Sequence, residues 1–445
     1  MLPLITHAND QPIAYRQKRA ITAAQYLADV AYCASQLPAS SFVLLACQDR
    51  YAFAVVFGAA MVRQQTCLLP STYTEELIES LALTHEGLYC LTDEPNCAIK
   101  LKKIHMGDWL LQPIPPAALA VPKIAQNHVA ACVFTSGSTG LPVAHRKTWG
   151  RLVVNVHSEG KRLGVVNGSN YCIVGTVPPQ HMYGFESTVL IALQNGCAFE
   201  ASKPFYPADI EKTMQGVPRP RALVTTPFHL RALMTELKKP VEIDLLVCAT
   251  APLAVALALE AEQKTNAQLI EIYGSTETGQ LATRRTTETA EWKTFDGIEL
   301  SQKAEKFYAK GQQVEGVVEV NDVLELNSTC SFILHGRTAD MVNVAGKSTT
   351  LNYLNHQLLS IAGIEDGVFF VTDTETEGVG STARLAAVVV SSSLSAENIM
   401  TALRRKIAPA FLPRPLKLIS KLPRNATGKL PRDELLALIR SALDN

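Results

Sequence analysis

The sequence predicts an α/β protein in two parts. Residues 1–337 form a large N-terminal domain of layered α/β subdomains, and residues 338–445 form a small C-terminal α+β domain. Three observations carry this. A chain of 445 residues exceeds one ordinary core and suits two or three domains. Short apolar runs alternate with helical patterns over roughly the first 335 residues, the mark of α/β layers. Near residue 336 the texture changes to a turn-rich stretch, HGRTADMVNVAGK, and about a hundred residues follow it.

In chain order, VLLAC (43–47), VAACVF (129–134), YCIVGTV (171–177), ALVTT (222–226) and DLLVCAT (244–250) predict buried strands, being short, apolar and ended by polar or turn residues. A helix is expected after the Ser/Thr/Gly loop at 135–140, with Trp149, Leu152, Val153 and Val156 at helical spacing. Another, LAVALALEAEQK (253–264), is expected just after Pro252. Beyond 336, FFVTDTETEG and ARLAAVVV read as strand segments. SSSLSAEN (391–398) reads as a loop with a helix cap, and helices are expected around 395–408 and from Arg432 onward.

Composition excludes several function classes. Lys+Arg and Asp+Glu both number 41, so the whole chain has no net pull toward nucleic acid or an anionic membrane. The longest apolar runs, such as YAFAVVFGAAMV, fall short of a membrane span. The N-terminus lacks the features of a signal peptide, and ten scattered cysteines without a C-x-x-C pair suit reduced thiols in the cytoplasm and argue against zinc.

Two segments point to chemistry. TSGSTG follows a strand, and its six small residues, Thr135, Ser136, Gly137, Ser138, Thr139 and Gly140, can present N–H groups and hydroxyls to one anion, most naturally a phosphate. It is not a Walker A loop, and neither are AGKSTT (345–350) and TGKL (427–430), which lack the leading glycine. IYGSTETG (272–279) offers an aromatic ring, a hydroxyl and a carboxylate within five residues: Tyr273 for a base, Thr276 for phosphate and Glu277 for Mg²⁺, which takes oxygen ligands.

TSGSTG, YGSTE, GRTADMVNVAG (336–346) and LPRNATGK (422–429), in this order, resemble the signature segments of the adenylate-forming acyl/aryl ligase superfamily: acyl-CoA synthetases, luciferases and peptide-synthetase adenylation domains. The resemblance covers essentially the whole chain. It implies the adenylate-forming fold with a mobile small domain, ATP and Mg²⁺ as cofactors, and a phosphopantetheine thiol, on a carrier protein or coenzyme A, as co-substrate. It implies that Thr135 to Gly140 wrap the ATP phosphates. Tyr273 and Gly274 would lie near adenine, Thr276 would touch phosphate and Glu277 would hold Mg²⁺. Asp322, fifteen residues before Arg337, would bind ribose, with Arg337 assisting at ribose or phosphate. CATAPL (248–253) resembles a Ser-Gly-Gly-Ala-Pro-Leu turn, placing Ala251 between adenine and the acid pocket; Cys248, Ala249 and Thr250 in place of Ser-Gly-Gly imply a tighter wall. PPQHMYGFE puts His181 beside the acid pocket, and Lys429 would be the catalytic lysine, a mobile cation for charge gathering at the α-phosphate.

The chain also departs from the pattern. Val143 stands where relatives often place lysine, so His145, Arg146 or Lys147 is expected to supply a phosphate-side charge a turn later; Ala339 and Asn343 depart at the hinge. TSGSTGLPVAHRKTWG most resembles the compact synthetases of aryl polyene and xanthomonadin pigment clusters, which load an aryl acid such as 4-hydroxybenzoate, or a fatty acid, onto an acyl carrier protein. Nine basic residues and no acid between Thr401 and Arg432 suit such a partner, or the phosphates of coenzyme A, or a merely solvated face. A peptide-synthetase-type adenylation domain would need an acid for an α-amino group, and none is placed. A non-catalytic adenylate binder would be expected to lose Glu277 or Lys429, and both are present.

Overall fold

The computed structural model describes residues 1–445 apart from 71, 113–118, 136–142, 238–239, 338–340, 345–346, 373–383, 425–429, 431–433, 435–436 and 439–445. Each of the five apolar runs expected to be a strand is one. They fall into two sheets. The six-stranded sheet runs Val143–Thr148, Val129–Thr135, Thr66–Leu69, Phe42–Ala46, Tyr89–Thr92, Lys102–His105. Its neighbours are parallel except for the first pair, an antiparallel hairpin. The eleven-stranded sheet has a parallel centre: Gln268–Ser275, Leu245–Cys248, Arg221–Thr225, Cys172–Gly175, Ala198–Glu200 and Pro12–Arg16. Its central strands are buried on both faces, which is why they read as unbroken apolar runs rather than alternating ones.

One core joins the two sheets. The helix Arg50–Val62, which holds the apolar run too short to span a membrane, lies in that core with twelve residues buried, and is largely apolar all round for that reason. Among the described residues no helix is long and apolar enough to cross a membrane. At its first turn the fully buried Arg50 guanidinium donates to the carbonyls of Gly175, Val177, Glu200 and Ser202 and to the Thr188 hydroxyl, at 2.6–3.1 Å. A separate core forms where the helices Leu351–Leu359 and Ala396–Arg404 cover the strands Asp366–Thr372, Arg384–Val390 and Leu416–Leu418. The expected cap is there: Ser395 and Asn398 form a reciprocal capping box.

Two expectations need correction. The 135–140 loop is not flanked by strand and helix. Residues Val143–Thr148 form a return strand in register with Val129–Thr135, Val143 facing Thr135, and the helix starts only at Trp149. An edge strand has one open side, so polar Arg146 and His145 are tolerated there. The 253–264 helix begins at Val255, because Pro252 belongs to the preceding turn. Of the helix expected from Arg432, only Glu434, Ala437 and Leu438 are described, and they are helical.

All ten cysteines are free, nine of them buried, and only Cys330 is exposed. Burial pushes the Cys33 thiol up to about 12 and also raises those of Cys47, Cys67 and Cys248.

Candidate active site

In a parallel sheet, ligands bind beyond the carboxyl ends of the strands, where the connecting loops converge. Here Cys172–Gly175 leads into PPQHMYGFE, Leu245–Cys248 into CATAPL, and Gln268–Ser275 into the Thr276–Glu277–Thr278 turn. Because these strands are parallel, with only Arg221–Thr225 between the first two, His181, Ala251 and Glu277 all lie beyond the same edge.

The Glu277 turn is the tip of a hairpin between Gln268–Ser275 and Gly279–Arg284. Gly274 allows the two strands to meet: a Cβ there would lie 2.4 Å from the Gly279 carbonyl oxygen. Thr278 and Ser275 bond each other's backbone and hydroxyls, fixing the turn. The return strand Val143–Thr148 reaches the same turn. His145 Nε2 lies 2.9 Å from the Thr135 hydroxyl and 3.9 Å from a Glu277 carboxylate oxygen. Lys147, buried, donates to the Glu277 carbonyl at 2.9 Å. Side chains alternate along a strand, so His145 and Lys147 face the turn, whereas Arg146 lines a cavity of about 970 Å³ with His85, Lys123 and His128 on the other face. Burial pushes the Glu277 carboxyl up. Its own backbone N–H, Ser275, His145 and Lys147 outweigh this and hold it below its ordinary value. An ionised, half-buried carboxylate suits Mg²⁺, which is bound by one or two carboxylates beside substrate phosphates.

Tyr273 and Asp322 meet directly: the phenol donates to Asp322 Oδ2 at 2.6 Å. Asp322 pairs with Arg337 across the antiparallel strands Asp322–Ser328 and Ser331–Arg337, so a separation of fifteen residues becomes adjacency. The Tyr273 ring is seated against Trp292 and Phe332, with centroids 5.6 and 5.2 Å away.

In the CATAPL segment one substitution for glycine has a conformational cost. Thr250 has φ +83°, the left-handed region that a β-branched residue seldom adopts. Relieving that strain should outweigh the extra freedom glycine gains when unfolded. Thr250→Gly is therefore expected to stabilise the protein by about 0.5–1 kcal/mol in urea unfolding; a loss of stability would show the strain to be absent. His181 occupies the N-cap position of the helix Met182–Gly184, which continues through a π-turn, Phe185–Leu190, into Ile191–Gln194. Gly184 is required there, since a Cβ would lie 2.0 Å from the Pro178 oxygen. π-turns are rare and occur mostly at functional sites.

The π-turn carries Glu186, which the sequence reading passed over together with Glu159. Both are fully buried. Burial pushes Glu159 up to about 7, against the opposing influence of Ser187 and Gln280. Burial also raises Glu186, with Lys147 pulling the other way. A single carboxylate in a sequence gives no sign of burial; only Glu159's place on the apolar face of Trp149–Leu163 could have signalled it. Glu159 ordinarily titrates near 4.5, so between about 4.5 and 7 the folded protein holds a proton that the unfolded chain has released, and stability falls as pH rises through that window. Glu159→Gln should remove on the order of 3 kcal/mol of that fall. Urea unfolding at pH 5 and pH 8 measures it, and an unchanged pH dependence would refute it.

Ser136, Gly137, Ser138, Thr139, Gly140, Ala339 and Lys429 lie outside the described residues, and Arg337 and Asn343 are placed by their backbones alone. Among known proteins, the chain is 27% identical over 243 residues to the 4-coumarate–CoA ligase of Rhodobacter capsulatus, covering 54% of this chain and 60% of that one. It is 24% identical over 346 residues to a 4-chlorobenzoate–CoA ligase of an Arthrobacter species, covering 68% and 64%. The chain matches only about three-fifths of the length of the Rhodobacter relative. Its fold is that of ATP-bound MatB from Rhodopseudomonas palustris, with a TM-score of 0.81 at 15% identity over 99% of this chain and 98% of that one. It is likewise that of the o-succinylbenzoate–CoA synthetase MenE from Bacillus subtilis, with a TM-score of 0.79 at 17% identity over 96% and 97%. The family model for AMP-binding enzymes matches residues 6–302, about two-thirds of the sequence, and the chain belongs to that family.

Proposed function

We propose that the chain is an ATP-dependent acid–thiol ligase. A carboxylate oxygen attacks the α-phosphate of ATP and pyrophosphate leaves; a thiol sulfur then attacks the acyl carbon and AMP leaves. The observation that carries this is the joining of three hairpins at one place. His145 lies between Thr135 and Glu277 and Lys147 holds the Glu277 carbonyl, while Tyr273 holds Asp322 opposite Arg337. Phosphate, metal and ribose contacts would thus sit side by side. Glu277 would hold Mg²⁺, whose chemistry is to neutralise charge on the phosphates. Thr276, Gly274 and Ala251 would border the nucleotide, and His181 the acid. Residues 338–445 would act as a separate domain that brings in Lys429 and withdraws it.

The acid would be aryl, such as 4-hydroxybenzoate, or fatty, and the acceptor a carrier protein's phosphopantetheine, as in the aryl polyene synthetases. Arg404, Arg405, Lys406, Arg414 and Lys421 are exposed, and Arg404 and Arg414 flank a groove of about 600 Å³. Such a face complements acidic carrier-protein helices. Arg424 is not part of it, being paired with Asp366 at 2.6 and 2.7 Å. The curated relatives are named as CoA ligases, which favours free coenzyme A as a second reading. A cytoplasmic location suits ten free cysteines.

The test is acid-dependent ATP–pyrophosphate exchange over aryl and fatty acids, then thioester formation on carrier protein and on coenzyme A. Exchange without thioester on either acceptor would reduce the proposal to adenylation; no exchange with any acid would overturn it.

A further inference from the structure

The return strand Val143–Thr148 has two faces, and only one of them meets the Glu277 turn. On the other, Arg146 stands directly opposite Cys132 in the antiparallel register, and residues so paired share a face. Burial raises the Cys132 thiol and Arg146 pulls it the other way, which brings the guanidinium over the same side of the sheet. That side borders the cavity of about 970 Å³, a volume at the upper end of what small-molecule sites enclose. More than half of its lining residues are apolar, among them Phe42, Met61, Val62 and Ile124. Phe42, Val129 and Cys132 also belong to the apolar cluster beneath, so the floor is fixed by packing.

The charged side chains on this lining are Lys123 and Arg146, with no Asp or Glu among the described residues. Burial lowers His128 and keeps it neutral at pH 7; its Nε2 lies 3.2 Å from the Gln65 carbonyl, an acceptor, so Nε2 carries the hydrogen. His85 stands edge-on to Phe42, with ring centroids 4.6 Å apart. Neither Lys123 nor Arg146 makes a side-chain hydrogen bond or ion pair among the described residues. Elsewhere Arg16, Arg151 and Arg219 each meet a carboxylate. Two uncompensated cations over an apolar floor complement a molecule that is apolar along its length and anionic at one end. A nucleotide fits less well, since it brings more negative charge than two cations neutralise and sets a polar ribose against apolar side chains.

The cavity is separate from the candidate active site. Phe42, Thr66 and Val129 are the first residues of three parallel strands, so it lies toward their amino ends. Thr135, where the Ser/Thr/Gly loop begins, closes the other end of Val129–Thr135, about 20 Å away at the ordinary rise of a strand. We propose that this cavity binds a molecule with an apolar body and one anionic end group, a carboxylate or a phosphate monoester. Arg146 and Lys123 hold the anion, and Phe42, Met61, Val62 and Ile124 receive the body. A guanidinium takes either anion through two parallel N–H groups, which is why the end group stays open between the two. The site does not depend on the ligase reading, and its occupant, distant from Glu277, is not activated there.

The experiment titrates the full chain calorimetrically with decanoate, decyl phosphate and decanol, and repeats the titrations on Lys123→Glu and Arg146→Glu. At least one of the two anions is expected to bind at least about tenfold more tightly than decanol. Its affinity is expected to fall at least about tenfold in each variant. The tighter anion identifies the end group. Where a reversed charge unfolds the protein, Lys123→Gln and Arg146→Gln carry the same expectation. Decyl phosphate has no carboxylate to activate, and decanoate binding that survives both variants belongs to another site. No binding of either anion, a smaller preference over decanol, or a smaller loss in either variant overturns the proposal.

Discussion

A Lys429→Ala variant is expected to adenylate its acid about 100- to 1,000-fold more slowly while converting a supplied acyl-adenylate to thioester at nearly the normal rate. The split follows from charge. Attack on the α-phosphate gathers negative charge in the transition state, and a cation placed there contributes only to that step. Thiol attack on the finished adenylate needs no such cation. The two half-reactions can be read separately, by pyrophosphate exchange and by thioester formation from synthetic adenylate. A variant slowed equally in both would be damaged in its fold or domain motion, and one adenylating at the normal rate would remove Lys429 from the mechanism.

The second large effect is structural. Arg50→Met should cost about 3–5 kcal/mol of stability, enough to remove much of the margin of an ordinary domain. Methionine matches the aliphatic stem but not the guanidinium, so it leaves the carbonyls of Gly175, Val177, Glu200 and Ser202 without their donor in a site closed to water. Lysine should not rescue it, because three ammonium hydrogens cannot reach acceptors spread across a planar fork. Urea unfolding gives the number, and a loss below about 1 kcal/mol would mean that water enters and replaces the guanidinium. The carbonyls of Gly175 and Val177 lead into the segment bearing His181, so the surviving protein should also lose affinity for its acid.

How much of this could be read from the sequence depended on range. Strands buried on both faces announce themselves locally, and Leu245–Cys248 or Val129–Thr135 needed no partner to be recognised. The spacing of Asp322 and Arg337 was legible because a hairpin turns sequence distance into register. Val143–Thr148 was hidden, since VAHRKT has no apolar alternation and becomes a strand only by pairing with Val129–Thr135. Lys147 is one of three candidates for a phosphate-side cation, and its hydrogen bond to the Glu277 carbonyl, across 130 residues, is a contact that spacing alone does not show. Glu186 was invisible for the same reason, since burial is set by what packs on top, whereas Glu159 had one local sign, its place on the apolar face of Trp149–Leu163.

The cysteine distribution has a practical consequence. Nine thiols are shielded by burial, whereas Cys330 stands exposed at the tip of the hairpin that ends at Arg337. Thiolate is the nucleophile toward maleimides, so the unmodified protein should take up one fluorophore, at Cys330, seven residues before the boundary proposed for the two domains. The domain motion proposed for the ligase could then be tested by fluorescence in the presence of ATP and acid, with no engineered cysteine and none removed.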